Sequence, residues 1–381
     1  MLKLCYVAEA TEGGVRKHLR ELIDCFAQPG EGFEIHALLG DRGEPGFGAE
    51  LERWRAAGVR AEVLPELARA LHPNRDWAAY RVLKRRLRHL APQVVHTHSA
   101  KAGFLGRLAA HACGVPRIIH TPHIFPFLWS GGLASALYLG LERFAAERCH
   151  RLICVGAGQR EAALRYKVAA EAKLTVIPNG VRLPPLPDRA RILAERAKLG
   201  LGPDQLAIGM VARLAPQKGV GTFLKAAQRI LNARADAVFV LLGGGPLESE
   251  VRSQAQALGL PRDRMRIMGH VEEAEARYPA FDVLALSSLY EGLPYVLLEA
   301  LAWGVPVVAT DVMGSRDVVQ HGETGLLVPP QDDAALAVAL ERLLADAELR
   351  KRLGMAGRGT VQERFTRERF LEGHRALYRG A

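Results

Sequence analysis

The chain has 381 residues, 49% of them apolar and 24% charged, with a formal net charge of +10. That length exceeds one typical domain and suits two of about 150–200 residues, each large enough to bury a core. The balance excludes a disordered or fibrous chain, and no repeat with a period of about 20–50 residues is visible.

Five cysteines (Cys5, Cys25, Cys113, Cys149, Cys154) fall in the first half with no CxxC pair. An odd number without that spacing argues for reduced thiols in a cytosolic chain, not a disulfide framework or a zinc site. The opening "MLKLCYVAEA" reads as a first strand and not as a signal peptide. The positive balance favours polyanions or anionic membrane surfaces as neighbours. Nucleic acid is disfavoured, because no aromatic interleaving accompanies the charge.

In chain order, strand-like apolar runs alternate with amphipathic windows. The runs are "LKLCYVAE", "EIHALLG", "RAEVLP", "QVVHTHS", "RIIHTPH", "RLICVG" and "LTVIPNG". Helical windows are expected over 15–26, 49–57, 76–90 and 102–112. Such alternation predicts βαβ units and a parallel sheet covered on both faces. "IPNGVRLPPLPD", 177–188, holds four prolines and a glycine and reads as a linker. The alternation then restarts with "LAIGMVARL", "AVFVLLGGG", "MRIMGHV", "VLALSS", "PVVATD" and "GLLVPP", and residues 332–381 are all helical windows. The fold class expected is α/β, with two doubly wound parallel-sheet domains facing across a cleft. Ligands of such sheets bind beyond the carboxyl ends of the strands.

Two stretches of the first half stand out by composition. "YRVLKRRLRHL", 80–90, puts Val82, Leu83, Leu87 and Leu90 on one helical face and five cations on the rest. That is either a solvated face or a membrane-surface helix. "IFPFLWSGGLASALYLGL", 124–141, is broken by a proline and a Gly-Gly pair, so it reads as a loop and a helix, possible near a lipid surface, and not as a span.

Polar residues sit just after the strands. Gly13-Gly14 opens the first helix, either as a structural turn or as a place where backbone N–H groups approach a phosphate. His96 and His98, then His120 and His123, follow two strands. At strand spacing His96 and His98 share a face, as core histidines or as a metal pair; no third acidic or cysteine ligand is evident nearby, so no metal is expected. His123 is the better candidate for a substrate hydroxyl, and Lys101 can face the same cleft. Arg213 and Lys218 in "VARLAPQKG" are spaced to converge on one anion, as a pyrophosphate leaving group requires, or to be solvated surface. The consecutive glycines of "LLGGGP" fail the dinucleotide fingerprint but permit close backbone approach.

In "SSLYEGLPYVLLEALAWGVPVVATD", Pro294 suits the first helical position, placing Glu291 just before the helix and Glu299 about one and a half turns inside it. The N–H groups of Tyr295, Val296 and Leu297 would then point at an anion. Glu291 can accept from sugar hydroxyls and Glu299 from a ribose diol; the plainer reading of Glu299 is a helix-edge carboxylate capped by Arg or Lys.

With these residues assembled, the chain resembles the family 4 glycosyltransferases of GT-B fold, which are retaining enzymes. The Glu291–x7–Glu299 pair is similar to that family's signature. "EGGVRKHL", "HTHSAKAGFLGRLAA", "IIHTPH", "IPNGV", "VARLAPQKG", "GHV" and "GETGLLVPPQD" follow in the family's order. The resemblance implies two Rossmann-like domains: an acceptor-binding one over 1–178, a hinge over 179–188 and a nucleotide-sugar-binding one over 189–362. The last helix, 363–381, would cross back onto the first domain.

It implies catalytic roles for His123 on the donor sugar, Arg213 and Lys218 on the leaving diphosphate, and Glu291 on hydroxyls of the transferred sugar. Donor binding would fall to Gly14 near the diphosphate, Gly292, Leu293, Tyr295 and Val296 in the phosphate-facing turn, and Glu299 on the ribose. The backbone of His270 and Val271 would meet the base, with His98 and Lys101 on the acceptor side. A hexosyl unit would pass from a nucleotide-diphosphate sugar, a UDP-sugar by preference, to a hydroxyl of a glycan or lipid-linked acceptor. No cofactor and no metal is expected, since no DxD motif is present and the Arg/Lys pair supplies the charge. Such a protein is expected in the cytoplasm, at most peripheral at the inner face of the membrane. Two departures stand out: "MGSRDVV", 313–319, has Asp317 where many relatives carry glutamate, and Pro294 lacks a backbone donor. A nucleotide-sugar 2-epimerase of the same fold and a non-catalytic sugar-nucleotide-binding protein are the alternatives. A dehydrogenase lacks its fingerprint.

Overall fold

The computed structural model describes residues 1–40, 45–68 and 72–380. The chain divides into two compact units, Met1–Pro178 with Phe370–Ala381, and Asn179–Arg369.

Unit 1 runs β1 (Leu2–Ala8), α1 (Gly13–Phe26), β2 (Phe33–Leu39), α2 (Phe47–Ala56), β3 (Arg60–Val63), α3 (Pro73–Leu90), β4 (Val94–His98) and α4 (Lys101–Ala112). It continues through β5 (Arg117–Thr121), α5 (Gly132–Ala146), β6 (Arg151–Cys154), α6 (Ala157–Arg165) and β7 (Leu174–Val176). Its seven strands lie in the order β3-β2-β1-β4-β5-β6-β7, all parallel. Leu4, Cys5, Tyr6, Val7 and Ala8 are all buried, because helices cover both faces of β1 and leave no solvent side to alternate toward.

Unit 2 runs α7 (Arg189–Lys198), β8 (Leu206–Val211), α8 (Val220–Ala233), β9 (Ala237–Leu242), α9 (Glu248–Ala257), β10 (Met265–Gly269) and β11 (Val283–Leu286). Then come α10 (Tyr295–Ala302), β12 (Val307–Thr310), α11 (Met313–Val318), β13 (Leu326–Val328), α12 (Asp333–Ala345) and α13 (Ala347–Arg364), after which α14 (Arg367–Arg379) belongs from Phe370 onward to unit 1. Its six parallel strands are ordered β10-β9-β8-β11-β12-β13. All of β9 is buried, and α8 presses Phe223, Leu224, Ala227, Ile230 and Leu231 onto the sheet at helical spacing.

Each run read as a strand is a strand, and each expected helix in unit 1 begins one to three residues early. The larger difference is at Pro294, which is the N-cap of α10 with ψ at 116°, not its first helical residue. A proline tolerates that extended conformation at no cost, so the helix starts at Tyr295. The segment expected over 363–381 starts in the last residues of α13; its final residue lies outside the described ones. Helix α14 seats Phe370 and Tyr378 in the core of unit 1, and Arg375 clamps Glu31 at 2.7 and 3.0 Å. Along α3 only Ala79, Leu83 and Leu87 are buried, so Val82 and Leu90 flank the expected face. Helix α5 exposes Leu133, Leu137 and Phe144. Among the described residues no helix is long and apolar enough to cross a membrane.

In both sheets the strand order reverses once, between β1 and β4 and between β8 and β11. Connections leave these pairs toward opposite faces, opening a crevice at the carboxyl ends. In unit 1 the buried Glu9 ties that edge together. Its carboxylate accepts from Ser99 Oγ at 2.9 Å and from the N–H groups of Lys101 (3.3 Å) and Ala102 (2.9 Å), so it caps α4 from the neighbouring strand. Glu9→Ala should lower the urea midpoint by the equivalent of about 3 kcal/mol, because three buried donors lose an acceptor. Glu9→Gln, which keeps one acceptor oxygen, should lose less. Equal loss in the two variants, read by circular dichroism, would mean that the cap is not what stabilises this edge.

Candidate functional site

At the crevice of unit 2, β8 delivers Arg213 and then a short turn, Pro216–Lys218. Gly219 closes the turn at φ +57°, and a Cβ there would strike the carbonyl of Ser287. That contact is used: Ser287 Oγ donates to the carbonyls of Lys218 and Gly219, 3.0 Å from each. Leu289 N–H adds a bond to Gln217 O at 2.7 Å, and Gln217 Nε2 donates to Tyr290 O at 2.8 Å. The loops after β8 and β11 are thus laced into one surface.

The lacing brings Lys218 and Glu291 together. Lys218 Nζ lies 2.5 Å from Glu291 Oε1, and Ser288 Oγ donates to the same oxygen at 2.6 Å. Glu291 is 6% exposed, so the ion pair sits in little water and is stronger than a surface pair. Arg213, half-buried, leaves the end of the same strand as Lys218.

Beyond Glu291 the chain turns through Gly292 and Leu293, both buried, to Pro294. Leu293 O accepts from Asn179 Nδ2 at 2.8 Å, which pins the turn to the start of the unit. Gly314 of α11 lies against the carbonyls of Glu291 and Gly292, so "MGSRD" supports this turn backbone to backbone. Tyr295 is buried and Val296 half-buried at the first positions of α10. Leu297 N–H closes on Pro294 O at 3.2 Å, so it is not among the donors presented to an anion, contrary to the sequence expectation. Glu299 is half-buried, and its Oε2 accepts from Tyr278 Oη at 2.6 Å. Burial first, then the Glu299 carboxylate, push the Tyr278 phenol well above its ordinary range, so it keeps its proton and donates. His270 is exposed and Val271 half-buried just after β10. The triple glycine lies beside them and beside the β8 loop, where Leu214 N–H meets Gly244 O at 2.8 Å.

At the crevice of unit 1, Gly14 is exposed in the first turn of α1. His96 and His98 do share a face, with ring centroids 4.0 Å apart, but they have different surroundings. His96 Nδ1 meets Tyr378 Oη at 2.7 Å and its Nε2 meets Thr121 Oγ1 at 2.8 Å. His98 Nδ1 faces His123 Nε2 at 3.2 Å, and the His18 ring stands edge-on to both. His123 has φ +59°, a left-handed conformation that a non-glycine residue adopts only when its surroundings impose it. Burial pushes His96, His98, His120 and His123 well below the ordinary imidazole range, and His374 down to about 3. These rings are neutral at pH 7. Lys101 Nζ turns to Asp76 of α3 at 2.5 Å and is 7% exposed, so this ammonium braces α3 against α4. His120 packs beside Arg107, whose guanidinium forks onto Glu142 at 2.8 and 3.1 Å.

Five residues of this arrangement escape a sequence reading: Glu9, His18, Asn179, Tyr278 and Ser288. Ser288 carries a usable signal, being three residues before Glu291 directly after a strand. Tyr278 and Asn179 carry none, because their partners lie 21 and 114 positions away.

The comparisons with known proteins agree with this geometry. A model described as "Glycosyltransferase Family 4" matches residues 12–183, and one described as "Glycosyl transferases group 1" matches 192–360. The chain is 32% identical over 325 residues to an Escherichia coli UDP-Gal:alpha-D-GlcNAc-diphosphoundecaprenol alpha-1,3-galactosyltransferase, spanning 84% of this chain and 82% of that one. It is 32% identical over 315 residues to the alpha-maltose-1-phosphate synthase of Mycolicibacterium smegmatis, spanning 76% and 79%. The Anabaena HepE structure in complex with UDP superposes over 100% of both chains with a TM-score of 0.79 at 19% identity, a likeness of fold. Two parallel-sheet units, a carboxylate and a lysine joined at a strand switch, and these matches together place the chain among the family 4 glycosyltransferases of GT-B fold.

Proposed function

We propose that the protein transfers a hexosyl unit from UDP-hexose to a hydroxyl of a lipid-linked or glycan acceptor, with retention of configuration and without a metal. The observation that carries this reading is the Lys218–Glu291–Ser288 contact at the β8/β11 crevice. Both partners of Glu291 fall on Oε1, so a sugar hydroxyl would donate to Oε2. A diphosphate arriving at Lys218 competes with Oε1 for the ammonium, and Arg213 adds a second cation. Together they would neutralise the charge that develops on the diphosphate as the glycosidic C–O bond breaks, the task a divalent metal performs elsewhere. Glu299, held through Oε2 by Tyr278, would accept from the ribose diol. Tyr295 and Val296 N–H groups would face the phosphates, and the backbone of His270 and Val271 the base.

His123 is assigned to a hydroxyl of the donor sugar; as a neutral imidazole it can donate or accept there without adding charge. The acceptor hydroxyl attacks the anomeric carbon on the face the diphosphate leaves, and a departing phosphate oxygen takes its proton. The UDP named in the Anabaena complex and in the E. coli relative supports the donor, and that relative's diphosphoundecaprenol-linked substrate supports a lipid-linked acceptor. An anionic membrane surface on the cytoplasmic side fits the same reading. Helix α3 exposes Arg81, Arg85 and Arg88 beside Trp77, which stacks on Tyr80 at 5.5 Å. Cations and an amphipathic aromatic pair on one helix suit a headgroup layer.

Thermal shift with UDP, GDP, ADP and TDP tests the donor. UDP at about 100 times its Kd should stabilise the wild type by roughly 2.7 kcal/mol, and Glu299→Ala much less. No shift from any nucleotide would sink the assignment of the donor site. Lys218→Ala should lower kcat by about 10²–10³ in a transfer assay, the scale expected when a charge on the leaving group goes unmatched. Flotation tests the membrane surface. Binding to phosphatidylglycerol vesicles should exceed binding to phosphatidylcholine vesicles and vanish in Arg81→Glu/Arg85→Glu/Arg88→Glu; equal binding to both vesicles would reject it.

A further inference from the structure

The imidazoles of unit 1 form a cluster larger than sugar recognition needs. His18 of α1, His98 at the end of β4 and His123 in the loop after β5 each bring one ring nitrogen within 4.8 Å of the other two. We propose that these three histidines bind one divalent transition metal of the zinc type, with the fourth position open.

The donor set selects the ion. Three imidazoles without a carboxylate suit zinc and its neighbours, and not magnesium or calcium, which require oxygen ligands. The geometry is close to closed. Two imidazole nitrogens on a tetrahedral zinc, at about 2.0–2.1 Å each, stand roughly 3.3–3.4 Å apart. His98 Nδ1 and His123 Nε2 are already 3.2 Å apart. The His18 nitrogen lies within 4.8 Å of both, and a closing movement of its ring would complete the triangle. His98 is fully buried, and its Nε2 has no hydrogen-bond partner among the described residues, so the ring is held by less than its polarity demands. His96 is excluded as a ligand, because Tyr378 and Thr121 occupy both its nitrogens.

Phe370 and His374 pack edge-on against His18 at 4.8 and 5.4 Å and fix its ring, while His123 is half-buried. Such an ion is no part of transfer. It occupies His123, the ring assigned to the donor sugar, so metal and sugar compete. Binding of the metal itself does not depend on that assignment.

Competition of the full chain with a chromophoric zinc chelator tests the site. One equivalent should bind to the wild type, and cobalt in its place should give the intense visible absorption of a tetrahedral site. His18→Gln and His98→Gln should each weaken binding by at least about tenfold. Surface His111→Gln should bind as the wild type does. Circular dichroism melting checks each fold, and should a buried variant fail it, His123→Ala in the loop carries the comparison. No stoichiometric uptake, or equal affinity in folded wild type and triad variants, would overturn the site. A lost UDP shift with intact zinc uptake would instead count against the donor assignment alone.

Discussion

Everything functional in this chain hangs on one constraint of parallel sheets, that connections must leave a strand pair toward opposite faces wherever the strand order reverses. The reversal opens a crevice, and a crevice between diverging loops is useful only if the loops are held. In unit 2 the holding is done by Ser287 Oγ on the Lys218 and Gly219 carbonyls and by Gly219, whose lack of a Cβ lets the Ser287 carbonyl approach. In unit 1 Glu9 reaches from β1 to the start of α4, and Ser99 N–H reaches Thr121 O at 3.1 Å. The two crevices share a topology but differ in chemistry. One ends in a charge pair, the other in neutral rings.

The charge pair explains why the site uses lysine and glutamate together. The buried Glu291 carboxylate alone would be desolvated without compensation, and the half-buried Lys218 ammonium offsets that. Paired, with Ser288 adding a bond to the same oxygen, the two side chains are held in place. The pairing also orients Glu291, since a carboxylate held at one oxygen by two donors presents the other in a fixed direction. Glu299 is oriented by the same device, with the phenol of Tyr278 in place of the ammonium. Burial keeps that phenol protonated, so it acts as a donor at any pH at which the protein would operate.

What the sequence made readable follows from period and position. Buried parallel strands are continuous apolar runs, so "AVFVLL" and "LCYVA" announce themselves, and residues directly after them fall at the crevices by topology alone. Glu291, Lys218, His98 and His123 are singled out that way. Boundaries set by backbone detail were not: Pro294 can occupy the N-cap or the first helical position with nearly the same φ, and only its ψ of 116° decides. Contacts across the fold were hidden for a different reason. Lys101 reads as a cleft lysine because it follows a strand, yet Asp76 on another helix claims its ammonium. Asn179 reads as part of a linker, yet its amide holds the turn at Leu293. Local pattern has no term for a partner a hundred residues away.

The histidines show how one physical property supports two chemistries. Packed among Phe370, Tyr6 and one another, these rings are disfavoured from taking a second proton, and a neutral imidazole is both a hydrogen-bonding group for a hydroxyl and a lone-pair donor for a metal. The left-handed backbone of His123 costs about 1 kcal/mol or more, and it persists because the neighbouring packing determines it. That backbone turns the ring toward His98 and His18. On the proposed reading a sugar hydroxyl and an ion would compete for the same ring.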